Sequence, residues 1–167
     1  MYHTFDNDQL VDELARLKVP FLRGGTDNPS NLPIPPATFI CALAASNEAR
    51  VRLALIPLFL QRPEYAAYVP HAYRDLSGNA QLVLTCYYTA SHFLQKKYHS
   101  QLEIIHPVMN WLPDLFSNEL EISSDEIDDG LQALDERHKE LSGRKINWLG
   151  TYEHGVQKLL KFLKKTK

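Results

Sequence analysis

Apolar positions recur with helical spacing along most of the chain, and convincing strand-like alternation is absent. Leu10, Leu14 and Leu17, with Val11 alongside, fall on one face of a first helix. Asp6 and Gln9 ahead of it have the spacing of a capping pair, and Pro20 predicts its end near Val19. An irregular segment follows, with Gly24, Gly25, Pro29, Pro33 and Pro35; it is too long for a simple connector and predicts a surface-wrapping loop at about 20–35. Pro36 suits the first position of a second helix, whose apolar face is Phe39, Ile40, Leu43 and Ala44. Ser46 and Asn47 break it and can cap the next. Residues 51–60 are apolar nearly all round, which predicts a central helix, kinked by Pro57 and stopped by Pro63.

A shorter helical piece spans 64–76, interrupted at Pro70, and Ser77, Gly78 and Asn79 mark a turn. The longest regular segment is expected from about Ala80 to Ile105, with Val83, Cys86, Tyr87, Ala90, Phe93, Leu94 and Tyr98 on its apolar side. Pro107 ends it, and residues 108–122 read as a loop with one short helical turn. Ser123 and Glu126 form a second capping box ahead of Ile127, Leu131, Leu134 and Leu141, with Gly143 as the stop. Asn147 can cap a last helix carrying Leu149, Tyr152, Val156, Leu159 and Leu163. The expectation is an all-α protein of six or seven helices, one domain over residues 1–167, built as an irregular bundle or a short HEAT-like αα stack.

Composition narrows the class without naming an activity. The chain has 167 residues, 44% hydrophobic and 23% charged, which suits a globular domain with a real core. A net charge of -2 and a pI near 6.4 give no global basicity that would point to nucleic acid. Cys41 and Cys86 lie among apolar residues and read as buried free thiols in a reducing, cytoplasmic setting. The start of the chain, with Asp6 and Asp8 and no long apolar run, does not read as a signal peptide, and the apolar stretch 53–60 is too short to span a bilayer.

Two resemblances bear on architecture and partners. Residues 39–63 run from an apolar helix through a polar break at 46–48 to Val51-Arg52 opening a very apolar second helix, and this resembles one unit of a HEAT-type repeat; no clean period follows across the chain. The strings LIPLFLQRPEYA (55–66), CYYTASHFLQ (86–95), LPDLFS (112–117) and NWLGTYE (147–153) are similar to those of a bacterial family of helical proteins of unknown function. Members of that family are often encoded beside a predicted nucleotidyltransferase. The resemblance implies a protein partner, with no catalytic residues to carry over.

Candidate chemistry is sparse. His92, His99, Glu103 and His106 share one stripe of the expected long helix, and the steps of four and three from His99 through Glu103 to His106 could share an ion. Glu103-x-x-His106 also has the spacing of one half of a di-iron helix pair, but no second Glu-x-x-His occurs. The same stripe carries Gln81, Thr85, Tyr88, Thr89 and Lys96, so the plainer reading is a polar face turned to solvent or to a partner. Gly24-Gly25-Thr26 resembles a nucleotidyltransferase turn but lacks the paired carboxylates that chemistry needs, and reads as a structural turn. Ser91 and His92 are adjacent on a helix, about 100° apart, so they cannot act as nucleophile and base. His138 lies on an apolar stripe between Leu134 and Leu141 and reads as a packed boundary histidine.

Charge is uneven. Residues 114–141 hold ten Asp or Glu against two Lys or Arg, whereas the end of the chain carries Lys158, Lys161, Lys164, Lys165 and Lys167. The lysines at 158, 161, 164 and 165 are a candidate nucleic-acid surface, or else complement the helix macrodipole. Tyr65, Tyr68, Tyr73, His92 and Trp111 are candidate partner contacts, because Tyr and Trp are enriched at interfaces. The reading that follows is a non-enzymatic helical interaction module or regulatory partner, needing no cofactor, with another protein as its partner and a second copy as a further option. A His/Glu metal site on the long helix and RNA binding by the last helix are the alternatives.

Overall fold

A computed structural model describes residues 5–20, 33–104, 106–108, 110–123 and 126–165. Among them every regular element is helical, in more segments than the six or seven expected, because several predicted helices are divided. The loop at about 20–35, with its Gly-Gly-Thr string, falls largely outside the described residues.

Local sequence explains most element ends. Helix α1 (Asn7–Arg16) starts on the expected capping box: Gln9 N donates to Asp6 Oδ1 at 2.8 Å and Asp6 N to Gln9 Oε1 at 2.9 Å. It stops before Val19, and not because of Pro20. Lys18 adopts φ 60°, and Val19 N returns to Leu14 O at 2.9 Å while Lys18 N bonds Ala15 O at 3.0 Å, a Schellman turn with lysine where glycine is usual. Lys18→Gly is therefore expected to stabilise the protein by about 0.5–1 kcal/mol. An unchanged or lowered denaturant midpoint would contradict that.

Helix α2 (Pro36–Ala45) begins at Pro36 as expected and buries Phe39, Ile40, Cys41, Leu43 and Ala44. The apolar second arm is broken in two, α3 (Ala49–Leu53) and α4 (Leu55–Gln61), at Ala54. Pro57 is the cause: it has no N–H for the carbonyl of Leu53, four residues back, and its ring crowds that carbonyl. A 3-10 turn (Pro63–Tyr68) leads into α5 (Val69–Asp75), which carries Pro70 in its first turn, where the missing N–H costs nothing.

Helix α6 (Gly78–Lys97) is the spine of the fold. Every residue from Val83 to Gln95 is buried, and α6 packs against α2, α4, α5, the later helices α9 (Ile127–Ser142) and α10 (Trp148–Lys165). The expected helix to Ile105 is interrupted at Tyr98, which leaves the helical region (φ -108°, ψ 23°), and a separate turn α7 (His99–Leu102) follows. Tyr98 Oη donates to Glu153 and accepts from Gln157 Nε2 at 3.0 Å, both on α10, so the residue at this break is tied to α10. Helix α8 (Ser117–Leu120) is the single short turn expected within 108–122. Helix α9 starts after Glu126, later than the expected cap at Ser123. Gly143 at φ 69° ends α9 as expected, and Asn147 Oδ1 accepts from Gly150 N at 3.0 Å at the start of α10. Buried apolar side chains from α1 through α10 form one contiguous cluster.

Candidate functional site

The polar stripe of α6 is buried from Thr85 to Gln95, and only its ends at Gln81 and Lys96 reach solvent. Tyr88, His92 and Gln95 lie at steps of four and three, on one side of the helix, and all three are buried. They grip an extended segment of the same chain, residues 110–116. Tyr88 Oη donates to Pro113 O at 2.6 Å, and His92 Nδ1 lies 2.7 Å from Leu112 O. A carbonyl only accepts, so Nδ1 carries the proton. Gln95 Nε2 donates to Asn110 O at 2.9 Å, and its Oε1 accepts from Leu112 N at 2.7 Å. At Tyr88, His92 and Gln95 the expected solvent- or partner-facing stripe is thus covered by its own chain, and His92 is a buried strap contact instead of a surface partner contact. Thr85, Thr89 and Ser91 turn their hydroxyls to carbonyls four residues back, at 2.7, 2.7 and 2.8 Å, and need no outside partner.

Apolar anchors complete the strap. Leu112 and Phe116 are buried, and Phe116 packs against Tyr88 and Tyr73 at centroid distances of 5.9 and 5.2 Å. The residues ahead of Leu112 behave differently. Ile104, Val108 and Trp111 are 59%, 91% and 53% exposed. All three lie in the stretch of chain from the end of α7 to the strap, residues 104–111, termed the apex; Ile105 and Met109 within it lie outside the described residues. The His99 ring stacks on Trp111, 4.7 Å between centroids and 20° between planes, and His99 Nε2 lies 3.2 Å from Glu103 Oε1. Trp111 is therefore fixed from behind by the strap and from the side by His99.

The metal trio expected from spacing is not assembled. Regular helix stops at Leu102, so the steps from His99 to His106 do not run along one continuous face. His99 and Glu103 pair with each other, while the buried Nε2 of His106 has no hydrogen-bond partner. Among the described residues no group of three or more His, Cys, Asp or Glu side chains is placed to hold a metal ion.

The remaining candidates separate. Tyr65 is buried, and its ring meets the half-exposed Tyr68 edge-on at 6.1 Å. Tyr73 is tied to Glu119 through its hydroxyl at 3.0 Å and packs on the strap. None of these three joins Trp111 at the apex. Lys158, Lys161 and Lys164 are exposed along α10, in the last turns where cations complement the helix dipole; the side chain of Lys165 lies outside the described set.

His138 sits in a buried aromatic box. Trp148 stacks on it at 3.6 Å, Tyr152 Oη lies 2.7 Å from its Nδ1, and Tyr87 meets it edge-on at 6.1 Å. Burial lowers its pKa to about 4, against a weaker opposing pull from Asp135, so the ring is neutral near pH 7. Asp135 accepts from Leu149 N at 3.0 Å and pairs with Lys139 at 3.0 Å, which fixes the α9–α10 connection. Burial pushes the Cys86 thiol up to about 12 and, with a smaller contribution from Asp75, Cys41 to about 11, so neither is a thiolate nucleophile near neutrality. Cys41, with Leu10, Ala42, Ala45 and Leu76, floors a groove of about 580 Å³ between α1 and α2.

Gln95, Ile104 and Val108 were not singled out by sequence. Gln95 had a usable signal, its seven-residue step from Tyr88 on the His92 side of the helix. Comparison of the chain with family models, curated proteins and solved structures gave no match. Among the described residues no helix is long and apolar enough to cross a membrane.

Proposed function

We propose that this protein is a non-enzymatic interaction module, an irregular helical bundle around α6 that engages another protein through the apex formed by Ile104, Val108 and Trp111. The observation that carries this reading is Trp111: a large aromatic side chain half-exposed on a segment whose backbone is hydrogen-bonded to the buried spine. Trp on a rigid support is the residue type most enriched at binding hot spots, because little conformational freedom is left to lose on association. Ile104 and Val108, seven and three residues earlier in the chain, are exposed as well, and contiguous exposed apolar surface marks interaction sites more often than isolated residues do. The family resemblance adds a nucleotidyltransferase as the first partner to test.

A photo-reactive phenylalanine placed at Val108, with a control at the exposed Gln132 of α9, tests the reading in the source cell. The expected result is a discrete protein adduct from position 108, absent from position 132 and lost on Trp111→Ala. An adduct of equal yield with and without Trp111 would overturn it.

A further inference from the structure

Gln95 is itself buried out of a partner's reach, yet it holds the backbone on both sides of the residue proposed to meet one. We infer that Gln95 is a positioning residue for Trp111, an inference that rests on the apex reading above. Its side chain is 0% exposed, and both ends of the amide are engaged, one on each side of Trp111: Nε2 on Asn110 O, Oε1 on Leu112 N. This is the pairing an adjacent β-strand would give, supplied here by one side chain. The other strap contacts cannot substitute for it. His92, Tyr88 and the anchors Leu112 and Phe116 all act at 112 or beyond, on the C-terminal side of Trp111. Gln95 alone among these contacts reaches residue 110, so it alone closes the backbone on both sides of the indole.

A buried amide at this position needs a physical reason. An apolar residue of equal length would fill the same space on α6 but would leave Leu112 N–H and Asn110 O without this partner. What the amide adds is order in two otherwise irregular residues, and fixing a residue's backbone before binding removes that cost from association. Stacking of His99 on Trp111 then depends on the indole being held where the strap puts it.

Labelling with 5-fluorotryptophan gives two resonances, Trp111 at the apex and Trp148 in the core, assigned by Trp111→Phe. In Gln95→Met the Trp111 resonance is expected to move to the solvent-exposed position while Trp148 stays. The yield of the Val108 photoadduct is expected to fall about tenfold although Trp111 is still present. An unmoved Trp111 resonance, or an unchanged adduct yield, would overturn the inference. Loss of the adduct in Trp111→Ala but not in Gln95→Met would leave the apex reading standing and remove this one. Should Gln95→Met disturb Trp148 as well, amide exchange in the unaltered protein decides: Leu112 N–H is expected to be as protected as the central amides of α6, and exchange at the rate of an open loop would refute the clamp.

Discussion

Gly130→Ala is expected to destabilise the protein by about 2 kcal/mol, the opposite of what helix propensity predicts. Inside a solvated helix the same change would gain about 1 kcal/mol. Here Gly130 faces the ring of Phe93 where α9 packs on α6, and a Cβ would lie 2.5 Å from Cε1 and 2.6 Å from Cζ. That overlap is severe, and Phe93 has little room to retreat because it is buried and in edge contact with the His92 ring at 5.3 Å. Either α9 lifts from the spine or the ring leaves its rotamer, and both forfeit packing. A double-mutant cycle with Phe93→Leu gives the sharper reading. The smaller side chain should recover about 1 kcal/mol or more of the loss, as coupling between touching residues. Chemical denaturation that finds Gly130→Ala neutral or stabilising would refute the close contact.

Acid should weaken the fold through His138. Its native pKa of about 4 lies below the ordinary 6.5, so between those values the unfolded chain binds a proton that the native state does not. Stability therefore falls as pH falls from about 6.5 toward 4, and this contribution amounts to roughly 2 kcal/mol at pH 5 relative to pH 8. The charged groups nearest the ring do not rescue its protonated form: Asp135 favours it, but Lys139 already pairs with that carboxylate. His138→Gln removes the titrating group and keeps a hydrogen-bonding end toward Tyr152. The variant should be less stable than the parent at pH 8 and should lose less stability on going to pH 5. Equal losses in parent and variant would assign the acid sensitivity elsewhere.

Sequence reached furthest where the cause was local. Asp6 with Gln9, Pro36, Gly143 and Asn147 each act within four residues and each placed an element end that the structure contains, while the kink expected from Pro57 appears as the break at Ala54. The failures share a different cause. The long helix breaks at Tyr98, whose hydroxyl meets Glu153 and Gln157, more than fifty residues away in the chain. Nothing near Tyr98 announces that. The stripe of α6 was legible as polar, but polarity alone cannot distinguish a face that meets water from one that meets a backbone. Only the return of residues 110–116 across it decides, and that segment carries no periodic pattern to place it. Trp111 stood out as an aromatic in an irregular stretch, whereas the strap and the His99 stack that hold it emerged only in three dimensions. The lysines of α10 were legible as a charged run, and the structure leaves Lys158, Lys161 and Lys164 exposed toward a helix end.

The apex reading stands or falls on one comparison. With the partner trapped at Val108 identified and purified, its affinity is measured for the unaltered protein, for Trp111→Ala, and for alanine at Tyr68 and Phe162, two other exposed aromatics. The expected result is a loss of roughly 30-fold, about 2 kcal/mol, for Trp111→Ala, with the other two within about twofold of the parent. A Trp111→Ala protein that binds within twofold of the parent would contradict the central claim.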